Sequence, residues 1–216
     1  MDSLKSRNSG APSADGLGPD VIVSPDVLRE ERLPPGQSLT DKWPVLDASG
    51  TPEIDLNGWR LQVTGLVGKP RRLTWRQFQR LPRVKVFSDF HCVTRWSKLG
   101  NLWEGVSTRA LLDLAGGPLP DARYVVAHGF DSGWTTNLPL DEFLAEEALV
   151  AVSHDGEPLS PEHGGPARLI VPRLYAWKSA KWLSQIELVE KDRPGFWERN
   201  GYHMHGDPWN EERHGW

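Results

Sequence analysis

Apolar and polar residues alternate along several short stretches of the chain, and this period of two predicts β-strands. The alternation is clearest over residues 59–65 and begins again at Val84. Short apolar runs predict further strands at 122–127, 148–152, 168–171 and 183–189. Because each stretch is short and bounded by turn residues, we expect small sheets joined by many loops.

Helical spacing is confined to short segments. The apolar side chains of Trp75, Phe78 and Leu81 recur every three residues. Thr74 can cap this helix, and Pro82 ends it. Similar patterns predict helices near 108–114 and 138–144.

The remaining segments set the domain organisation. Prolines punctuate residues 21–57, so we expect an extended segment that wraps the domain. The first 20 residues are rich in Ser, Gly, Ala and Asp, which cannot form a core, so we expect a disordered tail there. Neither a repeat nor a linker divides residues 21–216, which we assign to one mixed α+β domain.

Composition and charge exclude several classes of function. A net charge of −4 and a pI near 6.0 leave no basic surplus, so we expect no nucleic-acid partner. A single cysteine excludes an internal disulfide, and no apolar run approaches the length of a membrane span. The first residues contain neither an apolar export segment nor a twin-arginine pair, so we expect a cytoplasmic location.

The single cysteine, Cys92, ends the alternating run that begins at Val84. Residues 93–105 lose the alternation and are rich in Trp, Gly and polar side chains, which predicts a loop. A thiolate at a strand end, facing a loop of hydrogen-bond donors, suits a thiophilic metal. The alternative is the usual role of a lone cysteine, a small buried hydrophobe.

Two later stretches have the chemistry of an anion site. In residues 163–168 an imidazole and a guanidinium stand at the ends of a glycine-rich turn. Glycines let a ligand approach the backbone, and arginine suits a bidentate phosphate. Residues 178–182 combine backbone amides, a hydroxyl and two ammonium groups, as in an anion cradle. Each stretch by itself is also compatible with a solvated surface loop.

Taken together, these motifs resemble the molybdenum-cofactor domain of the sulfite oxidase family. The similarity is carried by VKVFSDFHCVTRWS with WEGV, by HGGPARLIVP and by WKSAKWL. WRLQVTGLVGKP and LPLDEFL extend it over about residues 34–189 in the family order. The haemless single-domain members, which include the catalytic subunit of periplasmic methionine-sulfoxide reductase, share the Cys-Val-x-x-Trp-Ser string at Cys92. The resemblance implies mixed β-sheets around a barrel-like core, with short helices and long loops.

The resemblance also implies roles for individual residues. It makes Cys92 the thiolate ligand of molybdenum, which one molybdopterin would hold without any haem. The candidate cofactor-binding residues are His91, Cys92, His128, His163, Arg168, Ser179, Ala180 and Lys181. The candidate catalytic residues, which would line the substrate pocket above the metal, are Cys92, Arg95, Trp134 and Lys178.

Departures from the family pattern bear on the substrate. Lys178 stands where sulfite oxidases have a substrate-binding arginine, and Trp134 falls near the position of their active-site tyrosine. These changes remove a planar fork and a hydroxyl, which favours a small neutral S- or N-oxide over sulfite. Thr94 replaces an acidic residue of the methionine-sulfoxide reductase, so that activity cannot be carried over directly. Without a haem domain, electrons would be exchanged with a separate protein partner.

Other hypotheses use the same residues differently. A zinc or other metal site could be built from His91, Cys92, His203 and His205, although their spacing is unlike that of structural zinc sites. A third possibility is a non-catalytic pterin-binding scaffold, whose tryptophan-rich surface meets another subunit.

Overall fold

A computed structural model describes residues 13–130 and 133–215 of the chain. Its strands are β1 (Val21–Val23), β2 (Ser38–Leu39), β3 (Arg60–Gly65), β4 (Arg71–Thr74), β5 (Val84–His91), β6 (Trp96–Ser107), β7 (Tyr124–Gly129), β8 (Thr135–Pro139), β9 (Leu149–His154), β10 (Glu157–Pro158), β11 (Arg168–Ile170) and β12 (Leu183–Val189). Its α-helices are α1 (Trp75–Gln79), α2 (Thr108–Leu114), α3 (Leu140–Phe143) and α4 (Phe196–Arg199). Short 3₁₀ helices cover Pro25–Leu28, Pro161–His163 and Ala176–Lys178.

The larger sheet has seven strands and contains the hairpin that carries the cysteine. Its main path runs β1–β5–β6–β9–β10, while β2 pairs with β6 and β11 pairs with β9. β5 and β6 are antiparallel neighbours, and His91 lies opposite Ser97 next to the turn between them. β1 and β2 add to this sheet as parallel partners of β5 and β6. Residues 21–57, expected to be extended without regular structure, therefore contain two short strands of this sheet.

The smaller sheet has five strands in the order β4–β3–β12–β7–β8. β12, the last strand of the chain, lies at its centre, parallel to β3 and antiparallel to β7. In both sheets the described strand paths end at edge strands rather than closing. The expected α+β fold with mixed sheets is confirmed, but the barrel-like core is not a closed barrel in the described part of the chain.

One apolar cluster joins the two sheets. It combines side chains from β3, β7 and β12 of the smaller sheet with side chains from β6, β9 and β11 of the larger one. Trp59 and Phe78, both fully buried, close one end of this cluster with their rings 5.4 Å apart. Since burying one such side chain is worth about 1.5–3 kcal/mol, the shared cluster holds the sheets together firmly enough to fix the loops between them.

The prediction of a loop after Cys92 was wrong. Residues 96–107 form β6, which pairs with β5 and β9 and is largely buried. A strand buried on both faces does not show a clean alternation, and its polar residues find partners inside the sheet. Asn101, for example, donates to the carbonyl oxygens of Ser88 and Lys98. No local pattern predicted a strand at residues 135–139, which form β8. Its Thr136 donates to Glu198, and its Asn137 donates to Asp192 and to the carbonyl oxygen of Met204.

The predicted helix after Thr74 is confirmed. The Thr74 hydroxyl accepts a hydrogen bond from the backbone N–H of Gln77, and the Gln77 side chain accepts one from the backbone N–H of Thr74. This reciprocal pair is a capping box, and it fixes the start of α1. Among the helices of the described residues, none has the length and apolar character needed to cross a membrane.

Only part of the expected N-terminal tail can be compared with the structure. Residues 1–12 lie outside the described ranges, and residues 13–20 contain turns and bends without a helix or strand. The domain boundary at residue 21 stays a prediction.

Candidate active site

Cys92 lies in the tight turn between β5 and β6. Its backbone N–H donates to the carbonyl oxygen of Trp96 at 2.9 Å, and its own carbonyl oxygen accepts from Arg95 at 3.0 Å. Arg95 has a φ of 72°, the left-handed conformation that lets so short a turn close. The hydroxyl of Thr94 donates to the Cys92 sulfur at 3.1 Å. Burial raises the pKa of the Cys92 thiol, and the hydrogen bond from Thr94 opposes this shift.

Both ends of the described chain hold this turn in place. From the N-terminal segment, the Gln37 side chain donates to the carbonyl oxygens of Cys92 at 3.0 Å and Trp96 at 3.2 Å. From the C-terminal segment, Arg213 donates to the carbonyl oxygen of Val93 at 2.8 Å. These bonds give the oxygens of Cys92 and Trp96 a second donor and pair the oxygen of Val93, so the turn that carries the sulfur is tied to both segments.

A cleft of about 200 Å³ opens beside the turn. Five of the residues singled out from the sequence line it together: Cys92, Trp134, Arg168, Ser179 and Lys181. They belong to four separate segments of the chain, so the fold brings together groups that are far apart in sequence.

Arg168 projects from β11 and is 2% exposed. Its two terminal nitrogens donate to the carbonyl oxygens of His163 and Ser179, each at 2.8 Å. Its Nε has no hydrogen-bond partner among the described residues, and none of their carboxylates pairs with it. Burial lowers the pKa of Arg168 to about 9. A buried cation with a spare donor and no anion is costly, and an anionic ligand would relieve that cost.

The tripeptide at 179–181 lies beside Arg168, but its members have different surroundings. Ser179 and Lys181 line the cleft, whereas Ala180 is fully buried and its carbonyl oxygen accepts from the N–H of Leu169. The Lys181 ammonium donates to the carbonyl oxygen of Glu162 at 2.7 Å and stays next to the cleft. Of the tripeptide predicted to be part of an anion cradle, only Ser179 and Lys181 therefore line the cleft.

The sequence predicted that the glycines of the 163–168 turn let a ligand approach the backbone, but the structure gives them a role in packing. A Cβ at Gly165 would lie 2.3 Å from the carbonyl oxygen of Leu159, and one at Gly164 would lie 3.1 Å from the Cα of Lys181. Gly164 also has a φ of 100°. The glycines are therefore required by the close packing of the turn itself.

Lys178, expected to contact substrate, is not among the described residues that line the cleft. Its side chain is fully buried, and its ammonium donates to Glu198 at 2.6 Å, to Met204 O at 2.6 Å and to both oxygens of Asn137. Burial lowers the pKa of Lys178, while Glu198 opposes this shift. With its donors engaged, Lys178 anchors the C-terminal segment, which argues against direct contact with a substrate.

Arg95 and the three candidate histidines also lie off the cleft. Arg95 is exposed on the outer side of the turn. His91 follows Phe90 and precedes Cys92, which both line the cleft, so it faces the opposite side of the strand and pairs with Ser97 at 2.8 Å. Burial lowers the pKa of His91 to about 4, which keeps the ring neutral near pH 7. His128 lies in the smaller sheet, 3.1 Å from Glu187.

His163 acts through a neighbour rather than on the cleft directly. Its ring stacks on Trp43 with the centroids 3.9 Å apart, and its Nε2 donates to the carbonyl oxygen of Trp43 at 3.1 Å. Trp43 in turn lines the cleft. His163 therefore holds an aromatic wall of the site.

Several residues of the cleft were missed from the sequence. Seven of them are aromatic: Trp43, Phe90, Trp96, Trp177, Trp182, Trp197 and Tyr202. The 11 tryptophans in 216 residues were the available signal, but composition does not say which of them meet.

The residues of the zinc hypothesis do not come together. Within the described residues, no group of three or more His, Cys, Asp or Glu side chains is arranged to hold a metal ion. His203 and His205 instead pair with Glu212, at 3.4 and 2.8 Å. Cys92 thus stands as a single candidate ligand, which fits a metal whose other ligands come from a cofactor.

The mixed-sheet fold places a soft sulfur ligand and a buried arginine in one cleft, which suits a metal held by an anionic cofactor. The chain belongs to the family described as the oxidoreductase molybdopterin binding domain, whose model matches residues 48–197. This membership makes it a molybdopterin-dependent oxidoreductase and confirms the resemblance drawn from the motifs. The residues present fit such a cofactor, because the cleft combines a soft sulfur ligand with a buried guanidinium that lacks an anion.

Individual relatives show how far the similarity extends. The uncharacterized oxidoreductase YuiH of Bacillus subtilis (strain 168) is 50% identical over 186 residues, which are 86% of this chain and 93% of the relative. The protein-methionine-sulfoxide reductase catalytic subunit MsrP of Gluconobacter oxydans is 32% identical, covering 65% of this chain and 50% of the relative. In the crystal structure of the sulfane dehydrogenase SoxCD from Paracoccus pantotrophus, the matched part has a TM-score of 0.60 and 26% identity, covering 66% of this chain and 41% of that one. The chain therefore spans nearly all of YuiH but half or less of the other two.

Proposed function

We propose that this protein holds one molybdopterin-bound molybdenum atom, with Cys92 as its thiolate ligand, and catalyses two-electron oxygen-atom transfer. The observation that carries the proposal is Arg168, a buried guanidinium without an anionic partner in the same cleft as Cys92. A phosphate group would supply the missing anion and accept from the free Nε. The thiolate sulfur is a soft ligand of the kind that thiophilic metals select.

The proposed roles in cofactor binding follow from position. Arg168, Ser179 and Lys181 would hold the anionic part of the cofactor, and His163 would support it by holding Trp43. Gln37 and Arg213 would keep the Cys92 turn rigid. When bound, the cofactor supplies the two-electron exchange of an oxygen atom, and the protein positions the reactants.

We propose reduction of a small neutral S- or N-oxide as the reaction. The oxide loses its oxygen atom and takes up two electrons and two protons, giving the reduced compound and water. The lining of the cleft supports this, since Asp47, Arg168 and Lys181 are its charged members among the described residues and the rest are mostly aromatic or aliphatic. Such walls suit a neutral compound better than a sulfite dianion. The name of the Gluconobacter relative, a methionine-sulfoxide reductase, points in the same direction.

Electrons for this reaction would come from a separate electron-transfer partner. A cytoplasmic location and the absence of haem stay predictions.

Metal analysis and paired assays test the proposal. Protein purified from a molybdenum-replete host should contain stoichiometric molybdenum and molybdopterin. It should reduce dimethyl sulfoxide and trimethylamine N-oxide with reduced viologen as the electron donor, faster than it oxidises sulfite with ferricyanide. Sulfite turnover at least as efficient as that of every oxide would overturn the substrate assignment. A protein that contains the cofactor but turns over neither class would instead support a pterin-binding scaffold.

A further inference from the structure

The cleft is completed by residues outside the region that matches the family. The matched region ends at residue 197, yet Tyr202 lines the cleft together with Cys92. The turn between Trp197 and Tyr202 is fixed, because Tyr202 donates its backbone N–H to the carbonyl oxygen of Trp197 at 3.0 Å. The segment that follows α4 thus contributes a wall that belongs to this chain rather than to the shared domain.

Tyr202 is the centre of an aromatic cluster in that wall. Its ring is stacked on Trp197, with centroids 5.0 Å apart and an interplanar angle of 15°. Trp177 meets it edge-on at 5.1 Å. The indole N–H of Trp177 donates to Glu198 at 2.8 Å, and Glu198 is paired with the buried Lys178. The cluster is therefore anchored from behind and presents a preformed apolar surface.

The hydroxyl of Tyr202 is available for a ligand. Among the described residues, none is hydrogen-bonded to it. A tyrosine phenol, with an ordinary pKa near 10, is protonated near pH 7. Tyr202 and Cys92 line the same cleft. A protonated phenol beside the proposed metal ligand can donate to an oxygen atom of a substrate.

We propose that Tyr202 determines substrate specificity by donating a hydrogen bond to the oxide oxygen while its ring and Trp197 pack against an aryl group. The inference rests on the proposed function and deepens it, because it selects aryl sulfoxides and heteroaromatic N-oxides over small aliphatic oxides. The oxygen of an S- or N-oxide carries a partial negative charge and is a strong acceptor. Flat aromatic walls favour a flat substrate through stacking and edge contacts.

Two substitutions separate the hydroxyl from the ring. Tyr202→Phe removes only the hydroxyl, so it should lower kcat/KM about three- to tenfold for both methyl phenyl sulfoxide and dimethyl sulfoxide. Tyr202→Leu also removes the ring, so it should reduce the preference for the aryl substrate about two- to tenfold. In each assay the sulfoxide takes two electrons from reduced viologen and two protons from water, and it yields the sulfide and water.

Binding gives a second readout that does not depend on turnover. Methyl phenyl sulfoxide is titrated calorimetrically into the oxidised, cofactor-loaded protein without an electron donor. We expect the Kd to rise about three- to tenfold in Tyr202→Phe. Tyr175→Phe is the matched control, because Tyr175 stacks on Trp177 at 5.3 Å but is not among the described residues that line the cleft. Its hydroxyl is buried without a partner, so its removal should change Kd and kcat/KM by less than about twofold.

The outcomes separate this inference from the proposed function. If the wild-type protein reduces no oxide, the proposed function is wrong. If it reduces oxides but Tyr202→Phe and Tyr202→Leu retain wild-type binding and the wild-type aryl preference, then Tyr202 does not determine specificity and the inference is overturned.

Discussion

Arg168 and Lys178 are both buried cations near the cleft, but their surroundings are opposite. Lys178 donates to a carboxylate, a side-chain amide and two backbone carbonyl oxygens, and it lies off the cleft. Arg168 lines the cleft, donates to two backbone carbonyl oxygens and keeps its Nε without a partner among the described residues. A buried charge whose donors are all used stabilises the structure around it, whereas a spare buried donor indicates a ligand.

The difference bears on the role in substrate binding that the family resemblance implied for Lys178. The resemblance implied contact with substrate, yet the Lys178 ammonium donates to Glu198 and to the carbonyl oxygen of Met204. Both partners lie just beyond the matched region, which ends at residue 197. Through these bonds Lys178 anchors the C-terminal segment.

Among the residues that line the cleft, the substitution with the largest expected effect is Cys92→Ser. Turnover should be lost, because a hydroxyl is a harder and far less acidic ligand than a thiol. Since the change is small, the free energy of unfolding of the apoprotein should fall by no more than about 1–2 kcal/mol. Activity is compared at equal, verified molybdopterin content. Undiminished turnover in that variant would exclude Cys92 as the metal ligand.

For the buried pair of Lys178 and Glu198, Lys178→Met should strongly lower the free energy of unfolding. It leaves the Glu198 carboxylate buried without its cation, which costs about 3–5 kcal/mol. Unfolding in urea measures the loss. Adding Glu198→Gln to Lys178→Met removes the stranded charge, so the double variant should recover much of that stability.

The opposite result would restore the first interpretation of Lys178. If Lys178→Met kept wild-type stability and lost oxide reduction alone, its role would lie in substrate binding.

For the other cation, Arg168→Met should separate cofactor retention from folding. The loss of a buried charge-assisted contact should weaken cofactor binding by about 1.5–3 kcal/mol. In the apoprotein, removal of an uncompensated charge offsets the loss of two hydrogen bonds, so stability should change less than in Lys178→Met. Molybdopterin content after extensive dialysis measures retention. Full occupancy would contradict the role assigned to Arg168.

The smallest expected effect is a pH dependence in the C-terminal segment. His205 lies between Glu142 and Glu212, and the hydrogen bond with Glu142, reinforced by Glu212, raises the pKa of His205 to about 9. Because the folded pKa lies above the ordinary value of 6.5, this stabilisation is fully present below pH 6.5 and is lost as pH rises through about 9. The ring is partly exposed, so the contribution should be under about 1 kcal/mol.

His205→Gln tests this contribution. The difference in unfolding free energy between wild type and variant should shrink between pH 6.5 and 9. Glu142→Gln should weaken the same dependence. A difference that stays constant across this range would show that His205 is not stabilised as a cation.

Parts of the fold followed from local patterns alone. β3, β12 and the start of α1 at Thr74 were predicted, because half-buried strands and helix N-caps have recognisable local sequence patterns. β6 was not, since a strand covered on both faces loses its alternation and its polar residues are satisfied by neighbours that only the sheet supplies.

The candidate site divides in the same way. Cys92, Arg168, Ser179, Lys181 and Trp134 were selected by motif, and the structure places them in one cleft. Trp43, Trp197 and Tyr202 belong to no motif, and nothing in their spacing indicates that they meet there.

The sequence by itself determined the chemistry available to this protein: one soft sulfur, an arginine in a glycine-rich turn, and many tryptophans. Those are properties of residue types and of local order along the chain. Only the tertiary structure decided which buried cation keeps a donor for a ligand and which has all its donors paired within the protein. The free energy of a buried charge depends on the partners that surround it, and Glu198, Asn137 and Met204 reach Lys178 only after the C-terminal segment has packed against β8.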